Sequence, residues 1–357
     1  MKRYLITGGC GFIGANFIHL LLRQEDECRI INLDKLTYAG NPNNMKGIAS
    51  DPRYRFVKGD ICDQPLVQQL LLDEDINTIV HFAAESHVDR SIHGPAAFIQ
   101  TNIVGTFSLL EAARNVWLAG TKPSADVRFL HISTDEVYGS LGPSGLFTEK
   151  TPYDPRSPYS ASKASSDHLV SAFFHTYNLP TLISNCSNNY GPYQFPEKLI
   201  PLAINNGIEG ERIPVYGDGR QIRDWLYVED HCEAIRLILA GGVPGQTYNV
   251  GGSSERENIE VVRAICDILD NRLGLPANSG PRRELITTVR DRPGHDRRYG
   301  IDATKLKASL GWQPSTDFAG GLEKTVDWYL ANREWTEAVL NGSYKTFYEA
   351  QYKDRLS

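Results

Sequence analysis

Gly8-Gly9-Cys10-Gly11-Phe12-Ile13-Gly14 satisfies two overlapping spacings, G-x-x-G-x-x-G from Gly8 and G-x-G-x-x-G from Gly9. Glycines at these places permit a tight turn, close approach of backbone to a pyrophosphate, and close packing of a helix on a strand. The spacing alone is weak evidence, because a purely structural strand-to-helix turn uses the same glycines. Its setting strengthens it. An apolar run at 4–7 leads in, a helical pattern at 12–22 leads out, and a second apolar run at 28–33 ends at Asp34. The helix turns its unpaired N–H groups and positive dipole end toward bound phosphates. An acidic residue at 34 is placed for the ribose hydroxyls of a dinucleotide and repels a 2′-phosphate, which favours NAD over NADP. Lys35 argues the other way. Cys10 stands where a small residue is expected; it reads as packing, with oxidation of the thiol as the alternative.

Further apolar runs at 55–58, 78–83, 127–133 and 181–186 alternate with helical patterns at 66–72, 96–117 and 161–177. Strand and helix taking turns implies right-handed crossovers and a Rossmann-type doubly wound parallel sheet, an α/β fold. After about residue 188 proline and glycine become frequent, and helical patterns return only at 228–239, 259–269 and 322–331. We therefore expect a cofactor domain over 1–187 and a smaller mixed substrate-binding domain over 188–357. A segment near 224–252 is expected to return to the main sheet through Tyr248-Asn249-Val250.

The 357 residues suffice for about two domains. A net charge of −6 gives no broad basic field, so nucleic acid is a poor partner. Cysteines 10, 28, 62, 186, 232 and 266 show no C-x-x-C and no metal-like spacing, so we expect reduced thiols, no metal site and a cytoplasmic protein. The opening Met1–Ile6 stretch has the charge of a leader, but Gly8 and Gly9 interrupt its apolar run. No run reaches the ~18 apolar residues of a membrane span.

Tyr159-Ser160-Ala161-Ser162-Lys163 is Y-x-x-x-K, which puts both side chains on one helix face. A free phenol is ionised in only about one molecule in a thousand at pH 7. A neighbouring ammonium and a positive nicotinamide ring favour phenolate, giving a base for a sugar hydroxyl as hydride leaves. Alone, the pair is as consistent with a surface helix contact. Ser133-Thr134, ending the preceding strand, supplies a hydroxyl for the same substrate oxygen. Together these residues resemble the short-chain dehydrogenase/reductase superfamily, and the length resembles its extended, nucleotide-sugar-modifying branch.

Asp135-Glu136 follows at once, at the carboxyl end of a strand, where ligands sit in open α/β sheets. Such a pair is often only solvated loop. Beside a site that oxidises C4 of a hexose it has a use. The C4 ketone acidifies the C5 proton and makes the C6 hydroxyl a β leaving group, so elimination needs one base and one acid. Hydride returned to C6 then leaves no net redox change. An epimerase or decarboxylase on the same scaffold needs no such pair.

Ser133–Gly139, the Tyr–Lys segment, 83–91, 34–41 and 291–299 are similar to the dTDP-glucose 4,6-dehydratase family. The resemblance implies that Asp135 is the acid for the C6 hydroxyl and Glu136 the base at C5. It makes Tyr159 the base at C4, with Lys163 tuning it and Thr134 orienting the sugar. Gly8, Gly11, Phe12, Ile13, Gly14, Asp34, Lys35, Leu36, Thr37, Asp60, Ile61, Ala83, Ala84, Ser86, Thr101 and Asn189 would line NAD. Ser86, Asn188, Lys198, Leu199, Pro214, Val215, Tyr216, Arg223, Asn258, Asp291, Arg292 and His295 would hold dTDP-glucose. Arg223 and the Arg292/His295 cluster suit a diphosphate, although each arginine also suits a surface ion pair. Tyr216 suits stacking on a base. Asp60 fits either the adenine edge or a helix cap, and His87 and Asp89 fit structural hydrogen bonds or support of the loop beside the nicotinamide. The stretch 140–150 is short for the family. The family also implies a homodimer, and apolar residues on several faces of 96–117 (Phe98, Ile103, Val104, Phe107, Leu110) agree with it.

Overall fold

Seven strands carry the apolar runs into one parallel sheet. A computed structural model describes residues 1–118, 126–275 and 280–340. The strands are β1 (Lys2–Thr7), β2 (Cys28–Asp34), β3 (Tyr54–Lys58), β4 (Thr78–His81), β5 (Arg128–Thr134), β6 (Thr181–Cys186), β7 (Asn188–Tyr190), β8 (Ile213–Tyr216), β9 (Ile222–Tyr227), β10 (Thr247–Val250), β11 (Glu255–Glu257) and β12 (Ile286–Val289). The large sheet runs β10-β6-β5-β4-β1-β2-β3. Its order reverses between β1 and β4, and that switch point opens a crevice at the carboxyl ends of the strands. Thr7 and His81, paired in register there, deliver the Gly-rich turn and the 82–87 loop side by side.

Both faces are covered, as near-continuous apolar strands require. Phe17, Ile18 and Leu21 of helix Phe12–Gln24 pack with Ile235, Ile238 and Leu239 of helix Val228–Gly241 on one face. Val67, Leu70, Leu109, Leu110, Val170 and Phe173, from helices Gln64–Asp73, Thr106–Trp117 and Pro158–Tyr177, cover the other. The expected return of 248–250 occurs: β10 pairs with β6. The expected boundary is too simple further on, because Leu306 and Trp312 also join the first face of the large sheet.

Two helices differ from expectation. The 96–117 pattern is not one α-helix: Pro95–Phe98 and Thr106–Trp117 flank a π-helical stretch, Ile99–Gly105. Apolar periodicity does not reveal an extra residue per turn. The helix expected over 161–177 begins earlier, at Pro158, because Ser157 and Ser160 form a reciprocal capping box and proline suits the first turn. That extension places Tyr159 in the first turn.

The rest of the chain forms two small sheets, β11-β9-β7 and β12-β8. Their core joins Tyr190, Ile204, Trp225, Ile265, Leu269, Val326 and Tyr329. Residues 222–225 therefore belong to the small sheet rather than to the returning segment. No described helix is long and apolar enough to cross a membrane.

Candidate active site

Gly8 follows β1 with φ +70, and Gly11 N–H closes the turn on its carbonyl at 3.1 Å. A Cβ on Gly8 would stand 2.6 Å from Ala83 N, and one on Gly14 2.5 Å from the Gly8 carbonyl oxygen. Helix Phe12–Gln24 begins without a side-chain cap, so its first N–H groups stay available to an anion. The crevice beside it is a cavity of about 300 Å³. Gly8, Gly11, Phe12, Ile13, Gly14, Asp34, Lys35, Thr37, Asp60, Ile61, Ala83, Ala84, Ser86, Thr101 and Asn189 line it together. Leu36 does not: it takes φ +58 and gives its N–H to Asp34 Oδ1 at 2.8 Å.

Asp34 is held rigidly, its Oδ2 accepting Cys10 N–H at 2.9 Å. The Lys35 ammonium is 2.6 Å from Asp60 Oδ2, so its charge is answered within the protein and offers little to a 2′-phosphate. Asp63, not Asp60, caps the following helix by accepting from Leu66 N–H. Cys10 is fully buried, and burial with the Asp34 carboxylate pushes its thiol up to about 12. That removes the expectation of oxidative sensitivity, since the thiolate is the reactive form.

Thr134, Asp135, Glu136, Tyr159 and Lys163 line the inner end of this cavity. The Tyr159 hydroxyl hydrogen-bonds to Thr134, and Phe98 packs edge-on to its ring. Burial and the Glu136 carboxylate hold the phenol well above its ordinary value, opposite to the tuning expected from Lys163. The lysine's partners give the reason. Its Nζ lies 2.8 Å from the Ile132 carbonyl and 3.2 Å from His131 Nε2, and burial brings it down to about 8. Asp167, one turn further along the helix, raises that value again. Ser133, expected to share the substrate oxygen with Thr134, instead gives its hydroxyl to Asp167 Oδ2 at 2.9 Å. Tyr153 donates to the same oxygen.

The two carboxyls differ in surroundings. Asp135 is buried, and its Oδ2 has no hydrogen-bond partner among the described residues. Burial, then the charges of Glu136 and Asp224, drive it well above the ordinary range. Burial also raises Glu136, but Arg292, Lys198 and Arg223 oppose the shift. Asp135 is thus the member that keeps a proton and Glu136 the member that ionises more readily.

Glu136 also borders a second cavity of about 150 Å³, with Asn188, Lys198, Leu199, Pro214, Val215, Tyr216, Arg223, Asn258, Arg292 and His295. Lys198 reaches it from one side, its Nζ 2.9 Å from the Ser86 carbonyl oxygen. Arg223 is fixed by the carbonyls of Ile222 and Asp296 and stacks 4.2 Å from the Tyr299 ring centroid. Arg292 Nη1 is 4.0 Å from Asp89 Oδ2, while its buried Nε has no hydrogen-bond partner among the described residues. The Oδ1 atoms of Asn188 and Asn258 are likewise buried without one. Tyr216 gives its hydroxyl to Asp89 at 3.3 Å and meets His295 edge-on.

Two expectations need correction here. His295 is not a cation: burial and the charges of Arg292 and Arg223 lower it to about 4 despite a 2.6 Å contact with Asp291. Asp291 does not line the cavity; it holds His295 with one oxygen and accepts from Gln221 with the other. His87 makes a structural hydrogen bond, accepting from Arg90 N–H as the cap of helix Val88–His93. Sequence reasoning missed Tyr299, Trp225 and Glu197 as lining residues. Only Glu197 carried a signal, an acid beside Lys198 in an otherwise apolar segment.

A family model described as GDP-mannose 4,6 dehydratase matches residues 5–325. The dTDP-glucose 4,6-dehydratase of Xanthomonas campestris pv. campestris (strain B100) is 60% identical over 97% of this chain and 98% of its own. The dTDP-glucose 4,6-dehydratase 1 of Escherichia coli (strain K12) is 52% identical over 99% of each. The crystal structure of dTDP-glucose 4,6-dehydratase from Bacillus anthracis str. Ames in complex with NAD is 45% identical. It superposes with a TM-score of 0.85, covering 95% of this chain and all of that one.

Proposed function

Since the chain belongs to the dTDP-glucose 4,6-dehydratase family, we propose that it converts dTDP-glucose to dTDP-4-keto-6-deoxyglucose and water, with NAD retained. The observation that carries this reading is the unequal carboxyl pair where the two cavities meet. The uncapped helix terminus, the glycine approaches and Asp34 fit NAD in the first cavity. Bound NAD supplies the hydride acceptor for C4 and, once reduced, the donor for C6.

The chain's own residues do the proton work. Tyr159, assisted by Thr134, takes the C4 hydroxyl proton; a positive nicotinamide beside it would oppose the raised phenol value. Glu136 removes the C5 proton, and Asp135 protonates the departing C6 hydroxyl. Lys163 holds the nicotinamide ribose beside Tyr159. Arg223, Arg292 and Lys198 neutralise the diphosphate, with Asn188 and Asn258 supplying the open acceptors. Residues 1–187 with the returning strand make the cofactor half, and the small sheets within 188–357 make the sugar half. Turnover of dTDP-glucose with catalytic NAD in heavy water tests the scheme. Solvent deuterium should appear at C5 and the original C4 hydrogen at C6; an epimerase would give neither.

We also infer a homodimer in the cytoplasm. Phe98 and Leu110 turn inward, but Ile99, Val104 and Phe107 are 53%, 40% and 45% exposed on one surface helix. That apolar surface supports pairing of two copies. All six cysteines are free, which suits a reducing compartment. A monomer in sedimentation at micromolar concentration would remove the dimer.

A further inference from the structure

Three loops border the cofactor cavity: 35–41 after β2, 82–87 after β4 and 191–198 after β7. We propose that Tyr38, Arg90 and Glu197 form a latch that joins these loops over the cofactor and sets how long NAD stays bound. The proposal rests on the cofactor reading above.

Each of the three side chains comes from a different loop or the helix that follows it. The Arg90 guanidinium carbon sits 3.9 Å above the centroid of the Tyr38 ring. Its Nε donates to Glu197 Oε2 at 3.1 Å, and the Tyr38 hydroxyl lies close enough to the same glutamate to favour its ionised form. Phe195 closes the outer side, edge-on to Tyr38 at 5.5 Å. The Glu197 side chain is 2% exposed, and its charge is answered by Lys198 of its own loop together with Arg90 and Tyr38 of the other two. A buried ion pair of this kind is a weak source of stability but a strong constraint on register, because the halves cannot be left apart while buried. Separating the loops would take Arg90 and Tyr38 from Glu197 and leave it Lys198 alone.

The latch is tied to the cavity wall at two further points. Asn41 N–H and Asn44 Nδ2 donate to the Cys10 carbonyl at 3.0 and 2.9 Å, fastening the first loop to the Gly-rich turn. Lys198, next to Glu197, fastens the third loop to the second through the Ser86 carbonyl. None of the three latch residues donates or accepts a proton in the proposed reaction. Their placement concerns residence. A carrier that is reduced at C4 and reoxidised at C6 must outstay the interval between, and a joined roof over the crevice provides that delay.

The test loads the full-length protein with radiolabelled NAD and chases with unlabelled NAD. Arg90→Met and Glu197→Gln should each release NAD at least tenfold faster, and the double variant about as fast as the faster single, since the two act through one contact. Arg90→Lys should fall between. Turnover of the Arg90 variants should drop at low NAD and recover as NAD is raised, an effect on cofactor KM rather than kcat. Release within twofold of the parent would overturn the latch, as would additive effects in the double variant. If Arg90→Met fails to fold, Tyr38→Phe, which keeps the ring and loses the hydroxyl, must still speed release or the proposal fails. A parent protein that binds no NAD would instead sink the cofactor reading, and the latch with it.

Discussion

The two cavities are built from different materials. The larger is shaped by backbone: a glycine turn, an uncapped helix terminus, and loops whose main chain approaches within a Cβ of each other. The smaller is shaped by side chains, among them those from β7 to β9, helix Asn258–Leu273 and the 291–299 segment, and it gathers three cations, Lys198, Arg223 and Arg292. The contrast teaches that a shared phosphate chemistry can be met by dipoles or by charges, and that the two answers fail differently when altered. Glu136 stands on the border, raised by burial and drawn partly back by the cations of the smaller cavity, while it also lines the larger.

The hardest blow to that arrangement is Glu136→Gln. Loss of water should slow by roughly 10²–10⁴-fold, while C4 oxidation still appears as bound NADH in the absorbance spectrum. Formation of the 4-keto-6-deoxy sugar at the parent rate would show that another group is the C5 base.

Next in size is Arg292→Met. Losing charge-assisted bonds of about 1.5–3 kcal/mol should weaken dTDP-glucose binding by roughly 10- to 100-fold, read by calorimetry. NAD affinity should stay within about twofold, and an equal loss of both would erase the distinction between the cavities. The same variant makes a prediction about pH. The base must be ionised, and burial raises Glu136 above its ordinary 4.5, so kcat/KM should fall with acid above that value. Arg292 holds the carboxyl down, so its removal should move the acid limb to higher pH.

Gly14→Ala probes the backbone cavity. The new Cβ would meet the Gly8 carbonyl at 2.5 Å, and the overpacking should cost about 1–3 kcal/mol of stability. Denaturant titration checks this, with NAD affinity falling and sugar-nucleotide affinity held. Lys35→Ala should do least. Its exposed pair with Asp60 carries at most about 1 kcal/mol, so NAD titration should barely shift and NADP should not be gained.

The backbone cavity was legible because its instructions are local. Gly8, Gly11, Gly14 and Asp34 fall within one strand-helix-strand unit, and each glycine answers to a steric need that spacing reveals. The side-chain cavity was legible only through resemblance. Asn188, Lys198, Asn258 and Arg292 are distant in sequence, and nothing in their immediate neighbours says that they converge. Charge state was misread for a related reason. His295 reads as part of a cationic cluster with Arg292, but burial, which only packing reveals, lowers it, joined by the charges of Arg292 itself and of Arg223 from another segment. Ser133 and Thr134 both looked available at a strand end; only the packed helix shows that Asp167 takes the first and leaves the second to Tyr159. The π-helical stretch left no periodic trace.

That stretch gives one helix two angular phases. Before and within it, Phe98 faces Tyr159, Thr101 faces the cofactor cavity, and Asn102 fastens Glu85 and Ser162. After it, Leu109, Leu110 and Trp117 point into the sheet core. An uninterrupted α-helix would have to choose between those sets, since one residue more or fewer turns everything downstream by about a hundred degrees. The extra residue therefore uncouples two histories. The distal half is free to drift with the core, the proximal half with the chemistry, and single-residue deletions between them should be the rarest survivors in any library.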